Sequence, residues 1–469
     1  MTDASAEGVS AIKMALWVDR TLAKVQELVK ASDDPQSHTA EYFRIDQEEL
    51  APVLSIMAPD EQYATAVDLL KEFRVALENY FIGSPAEPAE RKKRLSAIYR
   101  TGTALRNELK PAEQPEEEPP QTRLHDLAWR TRLDDEGHIL FDAGGGLVVP
   151  IRGEIRELAR PQIIAQAIRQ QPPYPEDVRP KNLRNVPGSL IYIRNAKRLI
   201  VFGDLHGRYD NLELALADKD NWQALKSGDA HLLFLGDAIH PRSGLGDQRE
   251  ANADSFRVLL LILSLQAENP GRVHYLVGNH ENAHVGGLGT GKGDKDLEQG
   301  FANFIRRQFN ETVLETYEKF LNWAPIVAKI RMANGELLAM HASVSPLVRN
   351  EQGLINLTVK GRKGKALTDI LWSRHFDART IAECLHAVGA NLALTGHTRP
   401  TEDAAKKYGF TCMLEPAFGH CHGKQLILCS QNNTFGYLDV DLNKKIPKTV
   451  EDLKSPDGQY AFRVIRRRG

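Results

Sequence analysis

The spacing of apolar residues divides the chain into two parts with different expected secondary structure. In the first 110 residues, apolar side chains recur every three to four positions, most clearly in the stretches 9–28 and 63–80. This spacing places them on one face of a helix, and a third helix is expected over 90–109. The residues that carry the two clear patterns are Val9, Ile12, Leu16, Leu22, Val25 and Leu28, then Tyr63, Val67, Leu70, Phe73, Leu77 and Tyr80. We predict a helical region over 1–110 that serves packing or partner binding.

From about Gly188 the pattern changes to short apolar runs rich in β-branched residues. A long apolar segment at 255–269 lies between two of these runs and is long enough for a buried helix. Alternating strands and helices indicate an α/β layered fold, and Asn334-Gly335 is a hairpin turn signal. The predicted strands are Leu190–Ile193, Leu199–Phe202, His231–Leu235, Val273–Val277, Ile326–Met332, Leu337–Met340, Leu392–Leu394, Gln425–Cys429 and Gly436–Val440. They predict a two-sheet α/β core with flanking helices, preceded by the helical region.

The boundaries between these parts follow from composition. The segment PAEQPEEEPPQ at 111–121 combines proline, which lacks a backbone donor, with glutamates that repel each other, so an exposed linker is expected. Four arginines near the end of the chain, Arg463, Arg466, Arg467 and Arg468, indicate a basic, solvated tail. The predicted organisation is a helical region (1–110), a linker (111–122), a connecting region packed on the core (123–187), a catalytic domain (188–445) and a basic tail (446–469).

Composition narrows the class of protein. A chain of 469 residues with 42% apolar and 26% charged residues is ordinary for a globular protein with two or three folded units. A net charge of −2 gives no reason to expect nucleic-acid binding. The longest apolar run, 258–265, is too short to span a membrane. Four cysteines without a CxxC pair favour a reducing compartment, so we expect the cytoplasm, with delivery into another cell as an open alternative.

Candidate chemistry lies just past the ends of the predicted strands. In α/β sheets the loops beyond the strand ends converge, so dispersed segments can form one site. Carboxylate, imidazole and amide oxygen together suit Mn, Fe or Zn better than Ca. Two such ions can activate a water molecule for in-line attack on a phosphoryl group. The residues are Asp204 and His206 in GDLHG, Asp237 in GDAIHPR, Asn279 and His280 in GNHE, His341 in MHASVSP and His397 in TGHT.

The order of these motifs resembles the calcineurin-like metallophosphoesterases, in particular the phosphoprotein phosphatase branch, over roughly residues 198–440. The resemblance implies a binuclear centre in which Asp237 bridges two divalent ions, Mn²⁺ being expected, and in-line attack by a hydroxide between them. It also implies that His280 is the general acid. The implied ligands are Asp204, His206 and Asp237 for the first ion, and Asp237, Asn279, His341 and His397 for the second.

Two arginines bind phosphate in the family. The WSR element in ILWSRHFD nominates Arg374, whose guanidinium suits bidentate phosphate binding. The second motif departs from the family pattern, which ends in Asp-Arg-Gly. His240 stands where an aspartate orients the catalytic histidine, and Arg242 lies one position late. Both are candidate catalytic residues. Either His240 donates a hydrogen bond to phosphate, or a carboxylate from elsewhere in the chain supports His280 in place of the missing aspartate.

Three functions stay open on the sequence alone. The first is a protein phosphatase acting on phosphoserine, phosphothreonine or phosphotyrosine. The second is a hydrolase of small phosphate esters or dinucleoside polyphosphates, and the third is a non-catalytic scaffold. The extra helical region favours a phosphoprotein substrate, and no membrane or nucleic-acid partner is expected. A glycine- and lysine-bearing loop at 286–296 is interpreted as a flap, and His420-Cys421-His422 as a loop without metal.

Overall fold

A computed structural model describes residues 130–142, 148–153, 174–240, 248–286, 297–359, 362 and 364–467, with scattered helical residues between 71 and 101. The chain divides into two compact units, Met1–Thr122 and Arg123–Gly469. In the first unit, the described residues from 71 to 80 are helical and bury Phe73, Leu77 and Tyr80, as their spacing predicts. The predicted helix over 9–28, the linker, the flap from 287 to 296 and Arg242 lie outside the described residues.

The second unit is built on two sheets. Their strands are β4 (Leu190–Ile193), β5 (Arg198–Phe202), β6 (Ala230–Phe234), β7 (Val273–Tyr275), β8 (Val327–Met332), β9 (Gly335–Met340), β10 (Leu392–Thr395), β11 (Thr411–Leu414), β12 (Phe418–Cys421), β13 (Gln425–Leu428), β14 (Thr434–Asp441) and β15 (Phe462–Arg466). A five-stranded sheet has the order β15-β14-β5-β6-β7, and a seven-stranded sheet has the order β11-β12-β13-β10-β9-β8-β4. This is the predicted two-sheet α/β core.

The helices occupy the segments between the strands. Helix α3 (Gln248–Glu268) contains all but the last residue of the predicted buried segment 255–269 and begins seven residues earlier than that segment. Among the described residues, α6 is capped by Asn310, whose side chain accepts a hydrogen bond from the Val313 amide. The helices are α1 (Tyr209–Ala217), α2 (Asn221–Ser227), α3 (Gln248–Glu268), α4 (Asn279–Gly286), α5 (Leu297–Gln308), α6 (Glu311–Trp323), α7 (Glu351–Ile355), α8 (Lys365–Trp372), α9 (Ala378–Ala387) and α10 (Glu402–Tyr408).

The two sheets pack face to face, and helices cover their outer faces. In β5, Leu199 and Val201 belong to the apolar cluster between the sheets, whereas Ile200 and Phe202 belong to the cluster on the helical side. Strand β9 divides its residues in the same way. Both faces of a central strand are therefore buried, which explains the almost continuous apolar runs in the sequence. No helix in the described parts of the chain is long and apolar enough to cross a membrane.

Three elements differ from the sequence expectations. A small antiparallel sheet of β1 (Arg130–Leu133), β2 (Ile139–Asp142) and β3 (Val148–Pro150) lies in the predicted connecting region. The β8–β9 turn consists of residues 333 and 334, because Gly335 already pairs with Met332. The expected basic tail instead supplies strand β15, which pairs with β14. Its apolar residues explain this correction, since Phe462 packs edge-on against Phe418 with ring centroids 5.0 Å apart.

Candidate metal centre

The candidate residues lie where parallel strands of both sheets end. Strands β5, β6 and β7 are parallel neighbours, and the motifs GDLHG, GDAIH and GNHE follow them in that order. Strands β9 and β10 are parallel neighbours in the other sheet and lead to His341 and His397. A bridge between Asp204 and Cys429, which follows β13, joins the two sheets at this edge. Five distant segments therefore meet at one place.

Glycine is required at this edge because the loops approach each other closely. A Cβ atom on Gly278 would lie 2.2 Å from the Asp237 carboxylate, and one on Gly396 would lie 2.5 Å from the Asp204 carboxylate. Real Cβ atoms do not make contacts this short, so any larger residue would displace a carboxylate. Gly278 and Gly396 thus keep the space that the acidic side chains occupy.

The Asp237 carboxylate is the centre of the cluster. Its Oδ2 atom lies 3.3 Å from His341 Nε2, 3.7 Å from His206 Nε2 and 3.9 Å from His280 Nε2. His206 Nε2 also lies 3.8 Å from Asp204 Oδ2. All of these side chains are buried. Two sets of three ligand atoms are close enough to hold a metal ion, His206–Asp237–His280 and Asp237–His341–His397.

Hydrogen bonds to the backbone orient two of the imidazoles. His341 Nδ1 lies 2.8 Å from the Leu235 carbonyl oxygen. His206 Nδ1 lies 2.8 Å from the His240 carbonyl oxygen and 3.0 Å from that of Ile239. A carbonyl oxygen can only accept, so each Nδ1 carries a proton and each Nε2 is directed at the carboxylates. This arrangement is typical of histidines that bind metals.

His397 and Asn279 complete the cluster. The His397 backbone amide donates to Asp204 Oδ1 at 2.7 Å, while its buried Nε2 atom has no hydrogen-bond partner. The Asn279 amide oxygen lies 2.8 Å from His341 Nε2. A buried nitrogen without a partner is costly, and a divalent cation would satisfy it. The donor set of carboxylate, imidazole and amide oxygen therefore fits two divalent ions.

Electrostatics within the cluster favour bound positive charge. Burial alone disfavours ionised Asp237, but the imidazoles of His341, His280 and His206 hold its pKa well below the usual value. Burial likewise opposes the charge on His341, yet the nearby Asp237 and Asp204 carboxylates raise its pKa to about 9. A site that holds a proton this strongly also attracts a cation, which would take the proton's place on the imidazole.

Backbone strain concentrates at the same place. Eight non-glycine residues of the described chain have a positive φ angle, and four of them are site residues: His206, Asp237, His240 and His397, at 48°, 53°, 62° and 61°. This left-handed conformation costs free energy for most residues and persists only where the surrounding structure imposes it. The loops are thus held in the shape that turns these side chains towards one another.

Comparison with known proteins agrees with this geometry. Residues 197–400 match the family model described as calcineurin-like phosphoesterase. Residues 197–400, called the calcineurin-like domain below, are similar to this family. This match includes all six candidate ligands and His280, and it leaves strands β11 to β15 beyond its end.

The calcineurin-like domain is also similar to curated protein phosphatases. A serine/threonine-protein phosphatase of Caenorhabditis elegans is 26% identical over 195 residues, which are 41% of this chain and 37% of that protein. The serine/threonine-protein phosphatase 2B catalytic subunit A1 of Saccharomyces cerevisiae is 26% identical over 178 residues, 37% of this chain and 27% of that protein. The matched segments thus span about a third of these relatives.

A solved structure to which this chain is similar is that of a protein serine/threonine phosphatase from Saccharomyces cerevisiae with similarity to human phosphatase PP5. It aligns with a TM-score of 0.44 and 14% identity, covering 66% of this chain and 90% of that chain.

In the calcineurin-like domain, His240 lies beside His280. The two Nδ1 atoms are 2.9 Å apart, and the rings meet edge-on at a centroid distance of 5.1 Å. Burial, together with the neighbouring imidazoles of His284 and His280, holds the pKa of His240 well below its ordinary value. His240 is therefore a neutral hydrogen-bonding partner of His280. Arg242, two residues later, lies outside the described residues.

Arg374 lies two residues after the end of α8, at the side of the cluster where His397 lies. Its guanidinium carbon is 5.8 Å from the Tyr408 ring, and its charge, after burial and His341, helps to hold the pKa of His397 below the ordinary value. The next residue is tied to the His341 loop, since the Ser343 hydroxyl donates to the His375 carbonyl at 3.0 Å. Arg374 is thus placed near the ligands, and its role in phosphate binding stays a prediction.

Sequence reasoning missed Glu281, the last residue of GNHE. Its buried carboxylate accepts hydrogen bonds from the backbone amides of Asp237 (2.8 Å), Ala238 (2.9 Å) and Gly278 (2.9 Å), with a longer one from Ile239 (3.4 Å). It therefore ties the loop after β6 to the loop after β7. Its place in the motif was visible in the sequence, but its partners 40 residues away were not.

The two histidines of His420-Cys421-His422 have separate partners. His420 Nδ1 accepts from the Gly423 amide at 3.0 Å, so its Nε2 donates to Glu451 at 3.0 Å. His422 Nε2 lies 3.1 Å from the Phe376 carbonyl oxygen. The two imidazoles therefore do not converge on a common point.

Proposed function

We propose that this chain is a metal-dependent phosphatase that hydrolyses phosphomonoesters on serine, threonine or tyrosine residues of proteins. The observation that carries the proposal is the buried Asp237 carboxylate, which three imidazole nitrogens approach within 3.3–3.9 Å. The curated relatives named as serine/threonine-protein phosphatases support a phosphoprotein substrate.

The proposed ligands form two sets that share Asp237. They are Asp204, His206 and Asp237 for one ion, and Asp237, Asn279, His341 and His397 for the other. When bound, the ions would activate a water molecule and neutralise charge on the phosphoryl oxygens. Mn²⁺ is the metal we favour, with Fe or Zn as alternatives for this mixed donor set.

His280 is the proposed general acid. Its Nε2 atom lies 3.9 Å from Asp237 Oδ2, so the ring faces the metal cluster, and its Nδ1 contacts His240 on the opposite side. A proton at Nε2 is placed to reach the ester oxygen that leaves the phosphorus. Arg374 is the proposed phosphate ligand, because its planar guanidinium can bind two phosphoryl oxygens at once.

The decisive experiment compares substrate classes on metal-free protein reconstituted with Mn²⁺. Phosphoserine, phosphothreonine and phosphotyrosine peptides are tested beside nucleotides and dinucleoside polyphosphates. We expect phosphopeptide hydrolysis that disappears with chelation and returns with Mn²⁺. Preference for the small molecules would refute the protein-phosphatase proposal, and the absence of any hydrolysis would favour a scaffold.

The role of His280 is tested with His280→Ala. Because general acid catalysis contributes about 10²–10⁴-fold, we expect a loss of that size in kcat on phosphoserine peptides, with bound metal unchanged. A phosphotyrosine peptide should lose less, since a phenolate leaves with less protonation. His386→Ala, on the exposed face of α9, is the matched control. Equal losses on both peptides would argue against the acid role.

A further inference from the structure

Three histidines form a chain that leads away from the metal cluster. His280 Nδ1 lies 2.9 Å from His240 Nδ1, and His240 Nε2 lies 3.0 Å from His284 Nε2. His280 and His284 are four residues apart on α4, so they share one face of that helix. His240 comes from the loop after β6 and lies between them. The proposed acid is thus connected to a residue outside every family motif in the sequence.

The hydrogen-bonding capacity of imidazole limits how protons can be arranged along this chain. A neutral imidazole donates at one nitrogen and accepts at the other, and each short N···N contact holds one proton. If His280 donates from Nδ1, then His240 accepts at Nδ1 and must carry its own proton at Nε2. That proton is donated to His284 Nε2, so the proton of His284 lies on its Nδ1. The reverse arrangement would also satisfy both contacts, but only this one lets His280 carry protons on Nδ1 and Nε2 together, as a charged general acid does.

Aromatic side chains hold the outer rings in position. Phe301 on α5 lies edge-on to both His240 and His284, with ring centroids 5.7 and 5.8 Å apart. Tyr317 on α6 contacts the His284 ring in the same way, at 5.7 Å. The backbone of His240 is also held in the left-handed region, with φ at 62°. Because the rings are fixed, only the positions of the protons on their nitrogen atoms can still change.

We propose that His284 is a positioning residue for phosphoester hydrolysis: by accepting the Nε2 proton of His240, it keeps His240 in the tautomer that accepts from His280 Nδ1. His280 is then held with its Nε2 directed at the metal cluster. The inference rests on the proposed function for its catalytic consequence. The tautomer of His240 can be measured independently of activity.

The kinetic test compares His284→Leu with His284→Gln. Leucine removes the acceptor, and we expect kcat on phosphoserine peptides to fall roughly 10- to 100-fold, the usual effect of losing a supporting hydrogen-bond partner, with KM unchanged. A phosphotyrosine peptide should be affected much less. Glutamine keeps an acceptor oxygen and should recover most of the activity. His386→Leu on the exposed side of α9 is the control. Equal losses on both peptides, or no recovery with glutamine, would overturn the proposal.

The tautomer is read from ¹⁵N spectra of metal-free protein labelled at histidine, with the His240 signals assigned by their loss in His240→Gln. We expect an unprotonated Nδ1 and a protonated Nε2 in the native protein and in His284→Gln, and a mixture in His284→Leu. A native His240 protonated at Nδ1 would overturn the inference even in an active enzyme. An inactive protein that shows the expected tautomers would refute the proposed function and support only the control of the His240 tautomer by His284.

Discussion

His240 is a hydrogen-bonding partner of His280 at a position where, by the resemblance of the motifs, related phosphatases have an aspartate. An aspartate in its place would put a carboxylate oxygen close to where Nδ1 now lies, 2.9 Å from His280. Aspartate tolerates the left-handed backbone better than most residues. The native imidazole can accept a hydrogen bond, but it adds no negative charge to favour the protonated form of His280.

We therefore predict that His240→Asp raises phosphoserine turnover relative to phosphotyrosine turnover several-fold. The added carboxylate favours protonated His280, and a serine alkoxide needs that proton more than a phenolate does. The alkaline limb of the rate profile should move to higher pH for the same reason. Matched phosphopeptides assayed from pH 5 to pH 9 provide the measurement. A native protein that clearly prefers phosphoserine would contradict the reasoning.

A second histidine pair, remote from the metal cluster, predicts how stability depends on pH. His231 on β6 and His274 on β7 lie 3.3 Å apart through Nδ1 and Nε2, and the Tyr174 hydroxyl is 3.3 Å from His274 Nδ1. Burial lowers the pKa of His231 to about 4 and that of His274 to about 3. The unfolded values lie near 6.5. Both groups thus stay neutral in the folded protein while they titrate in the unfolded chain.

Below about pH 6.5 the unfolded state binds more protons than the folded state does. The pair's contribution to the free energy of unfolding is therefore complete above that pH and is lost as the pH falls towards 3. We expect the free energy of unfolding to decrease by on the order of 2–4 kcal/mol between pH 7 and pH 5 from this pair. In His274→Gln the decrease should be about half as large, while the exposed His386→Gln should leave it unchanged. Urea unfolding at both pH values tests this. An unaltered slope in His274→Gln would contradict the prediction.

Glu281 joins the loops that follow two neighbouring strands, β6 and β7. Its carboxylate joins backbone amides that follow β6 to one that follows β7, so two neighbouring elements share a single buried anion. Because burial and the nearby Asp237 charge raise its pKa, the hydrogen bonds from the amides are needed to support its ionised form. Removing this side chain would leave buried donors without a partner.

We predict that Glu281→Ala lowers the free energy of unfolding by about 3 kcal/mol or more, since each unpaired buried donor costs about 1–3 kcal/mol. Metal affinity should fall as well, because the Asp237 and Asn279 loops lose their common anchor. Denaturant unfolding and metal titration give the two measurements. Glu383→Ala is the control, because Glu383 pairs with Arg379 on the surface, where ion pairs contribute little. Equal effects of the two substitutions would refute the anchoring role.

Strand β15 also changes how the end of the chain is understood. It lies at the edge of the five-stranded sheet, and Arg463 extends from it to Asp457, with the two side chains 2.9 Å apart. Val450, Leu453 and Ala461 are buried just before it. Arginine content alone predicted a solvated tail, whereas the apolar residues Phe462, Val464 and Ile465 among the arginines favour a strand, and charged side chains are typical of edge strands.

The division of the chain into two units has a direct consequence. Among the described residues, both large apolar clusters consist of residues from Ile139 to Ala461, and the candidate site lies between Asp204 and His397. We predict that residues 123–469 fold without the first 122 residues and retain metal binding and hydrolysis of small aryl phosphates. Cooperative thermal unfolding and kcat, both compared with the full chain, measure this. Aggregation of the shorter protein would show that its core depends on the helical region.

Much of the fold could be predicted from local patterns. Leu190–Ile193 was predicted with its observed bounds, and β5 and β6 were placed within one residue, because strands buried on both faces produce continuous apolar runs. Strands β1, β2 and β3 were missed, since segments such as RTRL and ILFD mix polar and apolar residues. Strands β11 and β12 were also missed. Such short strands are specified by their pairing partners more than by their own pattern.

The sequence by itself determined the two-sheet core and the residues that could form the metal cluster, because each motif follows an apolar strand and parallel strands end at one edge. Only the tertiary structure decided which side chains touch. The contact of His240 with His280 and His284 spans about 40 residues and depends on a left-handed backbone at His240. The link from Glu281 to the Asp237 loop has a similar span. Hydrophobic periodicity reports burial along a segment, whereas a hydrogen bond between distant segments depends on how the loops are packed in three dimensions.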